Sequence, residues 1–395
     1  MSRIVVTGIG IISALGNSVE SNRSALQKGI CGITTVELFE TRYAALLPFG
    51  EIKLSNDSLK QQLHVSAAGV TRTSLLAQHA FEQALLDSAL SKEEITSFDT
   101  AFINGTTVGG MCLTDELYQD ANRMSDNSPY VHSYDLASVT LYIQELYNMQ
   151  GVCNTINTAC SSSANAIMYG ARLIKQGKAK RAIVGGVDSL AKFTINGFNA
   201  LHILSSEKCK PFDQNRSGLN LGEAAAFLVL EAEEDCKDKK AYAVLSGYAN
   251  ANDAYHASAL SDTGDGPYEA MKEALYVANL NPSEISFINA HGTGTENNDL
   301  AESAAMKRIF NTPPSFVSTK ANTGHTLGAA AAIEAVYSIL SLQHQEMYPA
   351  INFQLPIEAT GLTPLQSFQK THVQHVMSNS FGFAGNCSSL IFSTL

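Results

Sequence analysis

The chain has 395 residues, with 26 Lys+Arg against 37 Asp+Glu, a formal net charge of -11, 45% hydrophobic content and only 16% charged residues. Ample apolar content with so little charge excludes a disordered chain, and the acidic balance argues against a nucleic-acid binder. No apolar run reaches the roughly 18 residues of a membrane span, and 7 scattered cysteines, an odd number, fit free thiols in a reducing cytoplasm.

The chain opens on a predicted strand, Ile4-Val5-Val6, where a secretory leader would need a longer apolar run. Gly8-Ile9-Gly10-Ile11-Ile12-Ser13 follows, a partial dinucleotide-loop pattern. Ser13 stands where its third small residue belongs, so no nucleotide site is expected. Val70, Leu75, Leu76, Ala80 and Phe81 predict a helix over 66–90. A strand is expected at 152–157, then a helix striped by Ala164, Ile167, Met168, Ala171 and Ile174, then a strand at 181–187. Another strand, 226–230, leads into the charged run 231–240, read as a surface turn. The strand 242–245 follows it. Beyond come a strand at 285–288, a helix at 300–310, the strand Phe316-Val317, an alanine-rich helix and a closing strand at 390–392. Apolar strands alternating with helices indicate an α/β fold with buried sheets. The charged run divides the chain into 1–235 and 236–395.

Three strand-end loops carry residues capable of chemistry. In Asn157-Thr158-Ala159-Cys160-Ser161-Ser162 a strand gives way to a helix. Cys160 would sit at the helix N-terminus, where unpaired N–H groups favour a thiolate nucleophile. The other reading is a small buried core cysteine. In Asn289-Ala290-His291-Gly292-Thr293-Gly294-Thr295, His291 either faces a substrate or caps a helix, and the Thr293 and Thr295 hydroxyls could bond an amide-bearing ligand. In Lys320-Ala321-Asn322-Thr323-Gly324-His325 a cation beside a histidine keeps the imidazole neutral, and Glu334 could balance the lysine. A solvated lysine in a helix-start turn is the alternative. A fourth stretch, Asn379-Ser380-Phe381-Gly382-Phe383-Ala384-Gly385-Asn386, could offer a free N–H to an oxyanion, though taken by itself it reads better as an ordinary turn before the terminal strand. With no CxxC or His-Glu-x-x-His pattern, no metal is expected.

Together these motifs resemble the β-ketoacyl-acyl carrier protein synthases of the thiolase superfamily, over nearly the whole chain. The resemblance implies a duplicated thiolase-like fold in five layers, α-β-α-β-α, the first half carrying Cys160 and the second both histidines. It implies a decarboxylative Claisen condensation of an acyl thioester with malonyl-acyl carrier protein in fatty acid elongation. Cys160 would carry the acyl group, His291 and His325 would stabilise the enolate, and Lys320 and Glu334 would position His325. Phe383 would supply an oxyanion N–H and gate the site. Thr293 and Thr295 would touch the pantetheine, and Val108 would line the acyl pocket. No resident cofactor is implied, since the phosphopantetheine arm arrives on the carrier protein. A homodimer is implied, with no nucleic acid and no membrane span. Arg72, Arg123 and Lys208 are candidates for docking the acidic carrier. Ala384, Asn386-Cys387, Ser217 and Ala224-Ala225 depart from the family pattern. With the somewhat short chain, the altered terminal loop leaves open a specialised ketosynthase of a polyene, aryl-polyene or polyketide pathway; a non-catalytic chain-length-factor subunit is a further alternative, against which Cys160 and both histidines argue.

Overall fold

The computed structural model describes residues 3–123, 128–236 and 239–395. Its framework is a ten-stranded mixed sheet. The strands are β1 (Ile4–Ser13), β2 (Thr100–Gly105), β3 (Cys153–Ile156), β4 (Arg181–Asp188), β5 (Ala224–Ala232), β6 (Ala243–Asn252), β7 (Phe287–Asn289) and β8 (Ser315–Val317), then, past a two-stranded ribbon of β9 (Glu346–Met347) and β10 (Gln369–Lys370), β11 (His375–Phe381) and β12 (Asn386–Ser393). The order is β3-β2-β4-β5-β1-β6-β12-β11-β7-β8. From either edge inward, two parallel pairings are followed by two antiparallel ones. One topology thus occurs twice.

Strand periodicity explains the layering. In β5, Ala224, Ala226, Leu228 and Leu230 face one apolar cluster while Ala225, Phe227 and Val229 face another. Both faces are buried, so the strand reads as a continuous apolar run. The first cluster holds the helices Ser162–Lys175 and Ala330–His344, which pack together between the two sides of the sheet. The helix Arg72–Ser88 covers β1 and β5 from outside, and Asp265–Ala278 covers β6 and β12. The result is the five-layer α/β arrangement, with one difference from two separate stacked sheets. Val5 pairs with Val244 and Val6 with Ala243, joining the sides into one sheet.

Several expectations are corrected. The Gly8–Ser13 run is not a loop but the body of β1. A Cβ on Gly10 would lie 2.1 Å from the Ala80 carbonyl oxygen, so the glycines let a helix approach the strand. The helix predicted over 66–90 begins at Arg72, capped by Thr71. The charged run is only partly a surface turn: Glu231 lies in β5, 1% exposed, accepting from Thr7 Oγ1 at 2.7 Å and Lys239 Nζ at 3.0 Å. Lys237 and Asp238 of that run lie outside the described residues. Among the described residues no helix is long and apolar enough to cross a membrane.

Candidate active site

The three loops converge. Cys160 stands one residue before the cap of the helix Ser162–Lys175, whose N-cap is Ser161. The preceding Ala159 takes a left-handed φ of 53°, an uncommon conformation for alanine that turns the chain sharply at the nucleophile position. His291 stands two residues beyond the end of β7, and His325 two residues beyond the short helix Lys320–Thr323. The Cys160 sulfur and one nitrogen of each histidine lie within 4.8 Å of one another, all three residues buried. The imidazoles meet edge to face, centroids 5.4 Å apart.

Nε2 of His325 lies 3.0 Å from Cys160 Sγ. On its far side, Nδ1 accepts the Leu327 backbone N–H at 3.1 Å. An acceptor Nδ1 in a neutral ring leaves the proton on Nε2, aimed at the sulfur. Three such ligand atoms resemble a metal-binding donor set, which the sequence did not reveal because its members are far apart in the chain. However, this tautomer presents a proton, not a lone pair, to the centre of the trio.

Electrostatics keep both rings uncharged. Burial lowers the pKa of His291 well below the ordinary value, assisted by Lys320 and His325. Burial and then Lys320 do the same to His325. Lys320 is 1% exposed, so it is no solvated surface residue, and its Nζ reaches Glu334 Oε1 at 2.5 Å. Burial pushes the Glu334 carboxyl up to about 7 against the pull of that ammonium. The thiolate expectation for Cys160 is corrected. Burial pushes its thiol up to about 11, although Lys320 and the backbone N–H groups of Phe383 and Cys160 itself pull the other way. The resting group is a thiol, and those same N–H groups surround it.

The trio opens into a cavity of about 550 Å³ whose wall includes Thr293, Thr295, Phe198 and Phe383. Thr293 Oγ1 and Thr295 Oγ1 are 2.9 Å apart. Phe383 stacks on Phe198, centroids 5.7 Å apart. Phe381 lies within β11, and only 383–385 form the turn. Val108 is absent from this wall; it is buried in the apolar cluster behind it, with Leu219 and Leu327.

Sequence reasoning missed Asp299 and Glu302. Glu302 accepts the His291 and Gly292 N–H groups at 2.9 and 2.8 Å, and Asp299 Oδ1 accepts those of Thr293 and Gly294 at 3.0 and 3.2 Å. Two carboxylates one helical turn apart thus hold the His291 loop. Their i,i+3 spacing just after that loop was the available signal. Of the docking candidates, Arg123 and Lys208 are exposed. Arg72 is not a surface cation: it is tied to Glu223 at 2.6 and 2.9 Å and to the Ile52 and Leu54 carbonyls.

Fold and site define a class, the thiolase-like ketosynthases. The ishigamide ketosynthase/chain length factor superposes with a TM-score of 0.93 at 28% identity, covering 100% of this chain and 99% of its own. The ketosynthase ApeO in complex with its chain length factor ApeC, from Xenorhabdus doucetiae, gives 0.85 at 30% identity, covering 100% and 98%. The N-terminal domain of beta-ketoacyl synthase matches residues 1–236 and the C-terminal domain residues 242–354. Among curated relatives, a putative mitochondrial 3-oxoacyl-[acyl-carrier-protein] synthase of Schizosaccharomyces pombe is 34% identical over 99% of both chains. 3-Oxoacyl-[acyl-carrier-protein] synthase 2 of Vibrio harveyi is 32% identical over 100% of this chain and 99% of its own. The chain belongs to the β-ketoacyl synthase family, enzymes of the acyltransferase class.

Proposed function

We propose that the protein is a 3-oxoacyl-acyl carrier protein synthase that lengthens an acyl chain by decarboxylative Claisen condensation in fatty acid elongation. The observation that carries this is the meeting of Cys160, His291 and His325 within 4.8 Å at a cavity. Cys160 Sγ attacks an acyl thioester, and its proton leaves with the departing thiol. The backbone N–H groups of Cys160 and Phe383 hold the oxyanion. A malonyl thioester then loses carbon dioxide, and the enolate oxygen accepts hydrogen bonds from the neutral His291 and His325. The carbanion attacks the carbonyl of acyl-Cys160, the S–C bond breaks, and the released sulfur takes up one proton from solvent to return to the thiol, leaving a β-ketoacyl product two carbons longer. Decarboxylation makes the carbanion without a strong base, so neutral imidazoles suffice. Lys320 and Glu334 position His325, Thr293 and Thr295 contact the pantetheine amides, and Val108 borders the acyl path.

The substrates arrive on a carrier protein, so the enzyme keeps no cofactor or metal of its own. Arg123 and Lys208 are the remaining docking cations. The division at 235/236 fits the topology that occurs on both sides of β1 and β6. Seven free cysteines accord with a cytoplasmic enzyme. A homodimer is the assembly we favour. One observation supports a second reading, a specialised ketosynthase paired with a chain length factor: the two ketosynthase structures above are of that kind. Incubating the protein with a panel of acyl-carrier thioesters and reading its mass tests the proposal. A mass gain at Cys160, absent from Cys160→Gln, is expected. Folded protein that gains nothing from any donor would end it.

A further inference from the structure

Asp188 closes β4 and is 0% exposed, yet among the described residues no cation is paired with it. Its charge is met by hydrogen-bond donors alone. Oδ1 accepts Thr106 Oγ1 at 2.7 Å and the Val108 N–H at 2.8 Å. Oδ2 accepts Thr107 Oγ1 at 2.7 Å and the Gly328 N–H at 2.7 Å, and the Thr107 N–H is shared between the two oxygens at 3.1 and 3.0 Å. Burial pushes the carboxyl's pKa upward, and the hydroxyls of Thr107 and Thr106 and the N–H groups of Val108 and Thr107 oppose it. Bonds to a charged acceptor are about twice as strong as neutral ones, so the carboxylate firmly ties together the segments that supply the donors.

Those segments are the loop 106–108 after β2 and the turn Leu327–Ala329. In the turn, two consecutive N–H groups serve different partners. That of Leu327 goes to Nδ1 of His325 at 3.1 Å, and that of Gly328 goes to Asp188. Leu327 holds a left-handed φ of 52°, a conformation costly for any residue with a side chain, which persists only where its surroundings impose it. The approach of turn to carboxylate is close. A Cβ on Gly328 would lie 2.8 Å from Asp188 Oδ2 and 3.0 Å from Thr106 Cα, so no side chain fits between them. Asp188 itself is absent from the wall of the catalytic cavity.

We propose that Asp188 is a positioning residue: its carboxylate pins the turn at Gly328 so that the Leu327 N–H stays on Nδ1 of His325 and the ring proton stays on Nε2. The proposal rests on the acyl-transfer reading above for its kinetic consequence alone. Without the tie, the turn relaxes towards an ordinary φ and the Leu327 N–H leaves Nδ1. The ring then populates the form protonated on Nδ1, which turns a lone pair instead of a donor towards the enolate oxygen.

The test reads the tautomer in the free enzyme by nitrogen NMR of histidine-labelled protein, the His325 signals being those lost in His325→Ala. In Asp188→Ala the share of His325 protonated on Nδ1 should rise about fivefold, the change that one net hydrogen bond commands. In the same variant, preloaded on Cys160, kcat for condensation should fall about fivefold while KM for the malonyl donor stays within about twofold. Asp188→Ser, whose hydroxyl stops one bond length short of Gly328, serves with the same expected outcomes if Asp188→Ala does not fold. Folded variants that keep the native tautomer would overturn the proposal. So would a risen KM with unchanged kcat. So would an equal tautomer shift in Gly10→Ala, which loosens the packing of the helix Arg72–Ser88 on β1 instead. Wild-type protein that no donor loads would end the acyl-transfer reading, while the tautomer would still decide the role of Asp188.

Discussion

His325 presents Nε2 to the sulfur of Cys160 at 3.0 Å while the Leu327 N–H engages its Nδ1 at 3.1 Å, so a main-chain group sets which nitrogen carries the proton. The donor is fixed before any substrate arrives, and hydrogen-bond donors fixed in advance are where enzymes of this kind gain most. His325→Ala should therefore slow condensation by about 10²–10³-fold. The rate should be read from protein already acylated on Cys160, so that loading does not enter. A fall of less than about tenfold would remove His325 from the enolate-stabilising role.

The Cys160 thiol, raised by burial to about 11, has a distinctive pH signature. At neutral pH only about one molecule in 10⁴ holds a thiolate. Alkylation of Cys160 by iodoacetamide should rise about tenfold per pH unit from 7 to 9. A plateau below pH 8 would show a thiolate already formed. The sign for stability is also set. A thiol with its folded pKa above the ordinary 9.0 favours the folded state fully below pH 9, and that contribution is lost as pH rises towards 11.

Much of the site was legible because its loops are local. Cys160 and His291 each follow a strand within a few residues, His325 follows a strand and one short helical turn, and small neighbours mark each loop. What was not legible depends on partners distant in the chain. Arg72 looks like a surface cation until Glu223, 151 residues away, is seen beside it. The Cys160 thiolate was inferred from a local helix terminus, but the burial that opposes it comes from loops of the other half of the chain. The strand Thr100–Gly105 escaped notice because Asn104 interrupts its apolar run, although it is buried and donates to Thr140. Gly8 and Gly10 suggested a loop motif, whereas their function is to admit the helix Arg72–Ser88.

That last point has a direct consequence. A Cβ at Gly10 would lie 2.1 Å from the Ala80 oxygen and 2.6 Å from the Ala84 nitrogen, both backbone atoms that no rotamer change can move. Gly10→Ala should cost about 1–3 kcal/mol, read as a lower urea midpoint. An unchanged midpoint would mean that the helix and strand are less closely packed than described.

Arg72 and Lys208 should separate in experiment. Arg72→Met leaves Glu223 buried without its cation and should cost about 3–5 kcal/mol of stability. Lys208→Glu, on an exposed residue, should leave the unfolding midpoint in place and weaken transfer from a carrier-borne donor more than from a small thioester. Equal effects on the two donors would discard Lys208 as a docking residue.

The buried pair Lys320–Glu334 offers the sharpest thermodynamic test. Both side chains are 1% exposed, and burial holds the Glu334 carboxyl at about 7 even with the ammonium 2.5 Å away. Removing one partner of such a pair leaves an uncompensated polar group, so Lys320→Met should cost about 3–5 kcal/mol. The cost has a pH dependence of known sign. A carboxyl raised above its ordinary 4.5 contributes stability fully below that pH and loses it as pH rises through the folded value. Without Lys320 the folded value climbs further, so the deficit should be larger at pH 8 than at pH 5. The double variant Lys320→Met/Glu334→Gln has no carboxyl to ionise and should recover most of the loss. Urea unfolding of the three proteins at both pH values decides the matter. A deficit equal at the two pH values, or a double variant no more stable than the single, would mean that the ammonium is not what keeps the Glu334 carboxylate tolerable inside the protein.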